Sequence, residues 1–131
     1  MKRFLHKILG DRGERKAVRF LKQQGYRILE RQHRDRFGEI DIIAMDNNQI
    51  DFVEVKTRRT TETGQPFEAV DLTKQKKIAR AALAWLRAQH RLNQSCRFDV
   101  VSIVWESNTG NPQIDHFKNA FEAPGKGQIY G

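Results

Sequence analysis

The stretch GEIDIIAMDNNQIDFVEVKTR, residues 38–58, decides how the chain is read. Ile40, Ile42, Ile43, Ile50, Phe52, Val53 and Val55 give it the β-branched and aromatic content of buried strands. DNNQ (46–49) divides it, and asparagine is one of the few residues that accept the positive φ of a tight turn. The stretch therefore predicts a hairpin. With Asn47 and Asn48 as the turn, Met45 faces Ile50, Ile43 faces Phe52, Asp41 faces Glu54 and Glu39 faces Lys56. Alternation puts these side chains on one sheet face. Ile40, Ile42, Ala44, Val53 and Val55 take the other face, which is apolar apart from Asp51. Asp51 is expected to face solvent near the turn.

Charged groups inside such a hairpin need a reason. Directly opposed Cβ atoms lie roughly 4.5–5.5 Å apart, and two carboxylates at that separation repel. Either one keeps its proton, with a raised pKa, or a cation lies between them. Mg²⁺ and Mn²⁺ favour oxygen ligands, so Asp41 and Glu54 are the candidate metal ligands, with the Val55 carbonyl as a further one. Lys56 follows Glu54 by two residues and projects from the same face. Its ammonium can neutralise a scissile phosphate or hold the attacking water. The chemistry implied is metal-assisted phosphodiester hydrolysis. On the residues alone, a solvated strand face with a Glu39–Lys56 surface ion pair of little worth stands beside it.

The rest of the chain bounds the problem. Its 131 residues suit one domain, placed at residues 1–122, with a loose tail at 123–131. The net charge of +8 favours polyanions; nucleic acid is the default partner and an anionic membrane surface the competing one. No apolar run reaches the roughly 20 residues of a membrane helix, and MKRFLHKILG (1–10) has no apolar core of signal-peptide length. A single cysteine, Cys96, excludes an intrachain disulfide and suits a reducing cytoplasm. His6, His33, His90 and His116 are scattered and make no zinc spacing.

Asp11–Gly25 reads as a helix with Asp11 as N-cap, Glu14 completing a capping box and Gly25 ending it. Tyr26–Arg34 reads as a strand at a sheet margin, and Thr57–Val70 as a long polar loop. Asp71–His90 is the strongest helical pattern, capped by Asp71 or Thr73, with Trp85 in the core. Cys96–Trp105 and Gln113–Phe121 read as strands. The order α-β-β-β-α-β, with a further β, predicts a mixed α/β fold whose sheet is flanked by helices.

GEIDIIA followed by FVEVKTR resembles the PD-(D/E)xK nuclease core, in which an Asp and a Glu-x-Lys sit on neighbouring strands. More narrowly, the chain resembles the YraN-like family of small bacterial proteins assigned as endonucleases, relatives of the archaeal Holliday-junction resolvases. GERKAVRFLKQQGYRIL, DLTKQKKIARAALAWL and RFDVVSIV carry the likeness from about Gly10 to Phe121. No proline precedes Asp41; Ile40 stands there. The resemblance implies a restriction-endonuclease-like fold and Mg²⁺-dependent cleavage of DNA; with the ligand set above, which suits Mg²⁺ or Mn²⁺, the expected function is a metal-dependent endonuclease acting on DNA of branched, flapped or junction type. The resemblance places Glu14, Asp41, Glu54 and Lys56 in the active site, and so moves Glu14 from a cap to a metal-site acid. Arg58, Arg59, Lys74 and Lys77 are the candidate DNA contacts. Glu39 and Asp99 are accessory acids. A resolvase-like task would suit a homodimer, which can cut two strands symmetrically. The alternative function is a catalytically inactive nucleic-acid-binding module of the same fold.

Overall fold

A computed structural model describes residues 2–60, 70–106 and 110–123, the first five of these by backbone alone. The elements are α1 (Lys2–Gln23), β1 (Arg27–Arg34), β2 (Glu39–Asp46), β3 (Gln49–Arg59), α2 (Leu72–Ala88), β4 (Cys96–Trp105) and β5 (Gln113–Phe121). The strands form one sheet in chain order, β1-β2-β3-β4-β5. All neighbours are antiparallel except β3 and β4, whose parallel pairing requires a crossover, supplied by α2.

The expected hairpin register is present. Asp46 pairs with Gln49, Met45 with Ile50, Ile43 with Phe52 and Ile42 with Val53, and Asn47 takes the positive φ of 55° at the turn. One face carries Ile43, Met45, Ile50 and Phe52 against Ile78, Ala82, Trp85 and Leu86 of α2. Phe52 stacks on Phe98, Phe98 on Phe121, and Trp85 meets Phe52 edge-on. The other face carries Ile42, Ala44, Val53, Val101 and Ile103 against Ala17, Val18 and Leu21 of α1. The result is an α/β layered domain with a five-stranded sheet between two helices. Packing on the α2 side extends to Ala123; the rest of the predicted tail, 124–131, lies outside the described residues.

Four expectations are corrected. First, α1 begins at Lys2 and runs through Gly10 and Asp11, so Asp11 is not its cap and Glu14 completes no capping box. Leu9, Ala17 and Leu21 form one stripe at helical spacing, with Leu9 packed on the α1-side core; burial of that stripe overrides the local cap signal. The helix does end as expected. Gly25 (φ +93°) and Tyr26 donate backbone hydrogen bonds to Lys22 and Leu21, a Schellman closure. Second, Thr57–Arg59 are not loop but the end of β3, paired with Ile103–Trp105; residues 61–69 of the predicted loop lie outside the described residues. Third, Ile40 packs on the α2 side rather than with Ile42. Fourth, Asp51 is fully buried, not solvent-facing.

The Ile40 reversal marks a break in the sheet. The β2–β3 ladder stops at Ile42–Val53. On the other side, Arg31 pairs with Ile42 and His33 with Ile40, so Gln32 stands opposite Asp41, and Gln32 has a left-handed φ of 53°. Strand β2 thus loses its β3 partner at Asp41, and its pairing with β1 is interrupted there before it resumes in the same register at His33 and Ile40. Local distortion of this kind re-aims side chains and concentrates at functional sites.

Candidate active site

A cleft of about 1170 Å³ opens at that break, between the N-terminal half of α1, strands β1–β3 and the start of α2. Glu14, Asp41, Glu54 and Lys56 all line it. Three structural elements therefore bring the three acids together. Gly13 makes the α1 contribution possible: a Cβ there would lie 2.0 Å from Thr57 Oγ1. Only glycine lets the helix lie this close on β3, and the next residue, Glu14, then enters the cleft.

Each acid has a distinct environment. Asp41 Oδ2 accepts the Val55 N–H at 2.8 Å, a group that a continuing ladder would have given to the β2 backbone. Burial and then the Glu54 carboxylate push the Asp41 pKa up to about 7, against the Val55 hydrogen bond and Lys74, with Glu14 adding to the rise. This is the raised carboxylate pKa that opposed acids predict. Glu54 pairs with Lys74, Nζ to Oε1 at 2.6 Å. Burial works against the Lys74 ammonium, but Glu54 and Asp41 outweigh it and raise its pKa. Glu14 is buried; Gln32 Nε2 donates to its Oε2 at 2.8 Å. Its Oε1 has no hydrogen-bond partner among the described residues, the Arg31 guanidinium lying at 3.5 Å.

An orphaned buried carboxylate oxygen and a proton-hungry aspartate beside a third acid fit a hard divalent cation. Asp41, Glu54 and Glu14 supply the oxygens, and Val55 lines the same cleft. Lys56 makes no ion pair among the described residues. Its expected partner, Glu39, is instead on Arg34 at 3.2 Å, both well exposed; with the hairpin ladder ended, Glu39 follows its β1 neighbour. Lys7, Arg15, Arg31 and Arg34 add positive charge along the cleft. Lys74, expected at DNA, is in the cleft but bound to Glu54. Arg58, Arg59 and Lys77 do not line the cleft; Arg59 and Lys77 are exposed, Arg58 half-buried.

His33 carries no signal in the sequence but lines the cleft between Glu30 and Asp35. Burial opposes its protonation, yet the hydrogen bonds to Asp35 and Glu30 prevail and raise its pKa. Gln32 and Gly13 are likewise invisible to pattern reading, because their roles come from an irregular φ and a tertiary approach.

Asp99, expected as an accessory acid, is buried and hydrogen-bonded but lies outside the cleft. It belongs to a network on the α1 side of the sheet. His116 Nε2 lies 2.7 Å from Asp99 Oδ2 and 4.0 Å from Asp51 Oδ2. Arg97 reaches Asp99 at 3.0 Å, Asp46 at 3.1 Å and Asp51 at 3.3 Å and donates to the Tyr26 hydroxyl. The Asn119 N–H donates to Asp99 Oδ1 at 2.7 Å. Burial and the Asp99 carboxylate push the Asp51 pKa up. Burial also opposes ionisation of Asp99, but hydrogen bonds from His116, Asp51, Asn119 and Arg97 outweigh it and hold its pKa down. Asp51, Asp99 and His116 are close enough to ligate one ion, but the Arg97 guanidinium is already the cation at their centre. Both Asp99 oxygens are taken, so the network is a buried structural clasp.

Residues 13–103 match the family described as "Uncharacterised protein family UPF0102". The chain is 50% identical over 117 residues to the UPF0102 protein of Geobacter metallireducens, covering 89% of this chain and 94% of the relative. It is 46% identical over 122 residues to that of Chlorobium phaeobacteroides, covering 90% and 97%. With the protein of Persephonella marina it shares 47% over 115 residues, covering 88% and 94%. The family match spans Glu14, Asp41, Glu54 and Lys56. No helix among the described residues is long and apolar enough to cross a membrane.

Proposed function

This chain belongs to the UPF0102 family, the YraN-like group its sequence resembles, and we propose that it is a metal-dependent endonuclease of restriction-endonuclease-like fold. It hydrolyses phosphodiester bonds of DNA, of branched, flapped or junction type. The observation that carries this reading is the convergence of Glu14, Asp41 and Glu54 from α1, β2 and β3 in one cation-lined cleft with Lys56.

Asp41, Glu54 and Glu14 would hold Mg²⁺ or Mn²⁺, with the Val55 carbonyl as a further ligand. Such an ion, when bound, polarises a phosphoryl oxygen and acidifies a water. Lys56 orients the attacking water and neutralises the charge that builds on the phosphoryl oxygens. Gln32 holds Glu14 in place through its 2.8 Å hydrogen bond, and the Val55 N–H does the same for Asp41 at 2.8 Å. Lys7, Arg15, Arg31 and Arg34 receive the phosphodiester backbone along the cleft. A two-fold dimer would let two such clefts cut opposite strands of a junction.

The test is incubation with single-stranded, duplex, flap, Y-form and four-way DNA, in Mg²⁺, Mn²⁺ or EDTA, reading both mobility shifts and cuts. Cutting that disappears in EDTA and in Lys56→Ala supports the reading. Salt-sensitive binding without cutting in any metal would make the protein an inactive binding module instead. Undiminished cutting by Lys56→Ala on every substrate would overturn the catalytic assignment.

A further inference from the structure

Lys74 stands in the first turn of α2, where its backbone N–H is fixed by the cap, donating to Asp71 Oδ1 at 2.8 Å. Its side chain is not fixed in the same way. It is 47% exposed and spans the cleft to Glu54 Oε1, a carboxylate only 11% exposed. A flexible four-carbon stem thus carries an ammonium from the opposite wall into the acidic cluster. Lys56, on the same strand as Glu54, takes no part in this pairing.

A divalent ion on Glu54 would repel an ammonium held 2.6 Å from the same carboxylate. That repulsion weakens the hold of Glu54 on the Lys74 ammonium, which then lacks the partner it has in the resting cleft. The N-terminal end of α2, where it is anchored, also favours negative charge. A phosphate of the bound polynucleotide meets both needs. Resting on the nuclease reading above, we propose that Lys74 is an exchangeable counterion. It neutralises Glu54 in the resting protein and passes to a backbone phosphate when a divalent cation takes the acidic cluster, so that cation and DNA each tighten the binding of the other. Such coupling is reciprocal by linkage. Lys74 is a positioning residue here, since its effect is exerted through Glu54 and through phosphate placement.

The test uses the full chain, stripped of metal, with Mn²⁺ binding followed by electron paramagnetic resonance of the free ion. Titrations are run with and without a phosphorothioate duplex chosen to resist cutting. For the wild type, DNA should tighten Mn²⁺ binding by about fivefold or more. Lys74→Met should bind Mn²⁺ about two- to fivefold more tightly than wild type without DNA, the share an ion pair of this exposure contributes, and should lose most of the tightening by DNA. Lys74→Arg, which keeps the charge, should retain that tightening. Far-ultraviolet circular dichroism confirms that each variant is folded. If Lys74→Met binds Mn²⁺ no more tightly than wild type, or still responds fully to DNA, the exchange is wrong. Asp41→Asn separates the two levels: if it abolishes Mn²⁺ binding while Lys74→Met behaves as wild type, the exchange alone fails. If the wild type binds no Mn²⁺, or Asp41→Asn binds it equally well, the metal centre and the exchange fail together.

Discussion

Asp41→Asn should make the metal-free protein more stable above neutral pH. In the folded protein, burial and the facing Glu54 lift the Asp41 pKa from its ordinary 3.8 to about 7. A carboxyl group with a raised folded pKa binds its proton more tightly in the folded state. Its contribution is intact below 3.8, where both states are protonated, and is lost progressively as pH rises to about 7. Each tenfold change in proton affinity corresponds to about 1.4 kcal/mol, so the full displacement sets a ceiling of about 4 kcal/mol. The Val55 hydrogen bond and Lys74 work against the rise; about half of the ceiling, roughly 2 kcal/mol, is the expected gain. Asparagine keeps an oxygen for the Val55 N–H and offers an amide to Glu54 in place of a negative charge. Urea unfolding in EDTA would be measured from pH 4 to 8.5. The variant's advantage should grow from near zero at pH 4, level off just above pH 7, and shrink for the wild type's benefit when Mn²⁺ is added. A variant less stable than wild type at pH 8, or an advantage independent of pH, would refute the assignment of Asp41 as a strained acid.

Gly13→Ala places a Cβ 2.0 Å from Thr57 Oγ1 and should cost about 1–3 kcal/mol in urea unfolding by forcing α1 off β3; Thr57→Ala in the same chain should recover part of it. Arg97→Met strips the central cation from Asp46, Asp51 and Asp99 and should cost about 3–5 kcal/mol, with unfolding of the metal-free protein as the readout and a loss no larger than that of Leu92→Ala, a truncation at an exposed side chain between α2 and β4, counting against the clasp. DNA affinity followed by fluorescence anisotropy should fall with salt, and Arg34→Ala should make the log–log slope shallower by about 0.9 if Arg34 meets one phosphate.

The hairpin was legible because two signals agreed, β-branched residues and a turn with two asparagines; the charged pairs read from the same register lie past the end of the ladder at Ile42–Val53. The same agreement fixed α2, where Asp71 is the cap and Trp85 is core, and the bounds of β4 and β5. The family resemblance named Glu14, which the spacing alone had made a cap. What escaped was set by tertiary contact. Burial of the Leu9–Ala17–Leu21 stripe extended α1 past an apparent cap. Strict alternation could not foresee the break at Asp41 that sends Ile40 to the α2 side and leaves Gln32 at φ 53°. Asp51 looked like a solvent-facing turn residue because its cation, Arg97, lies far along the chain on β4.

The most direct measurement is anomalous X-ray scattering from a crystal of the full chain soaked in Mn²⁺. A peak is expected in the cleft within coordination distance of Asp41 and Glu54 oxygens, with Glu14 facing it, and should be lost in Asp41→Asn. A cleft without manganese at saturating concentration, or a peak seated instead among Asp51, Asp99 and His116, would contradict the metal centre proposed for the cleft.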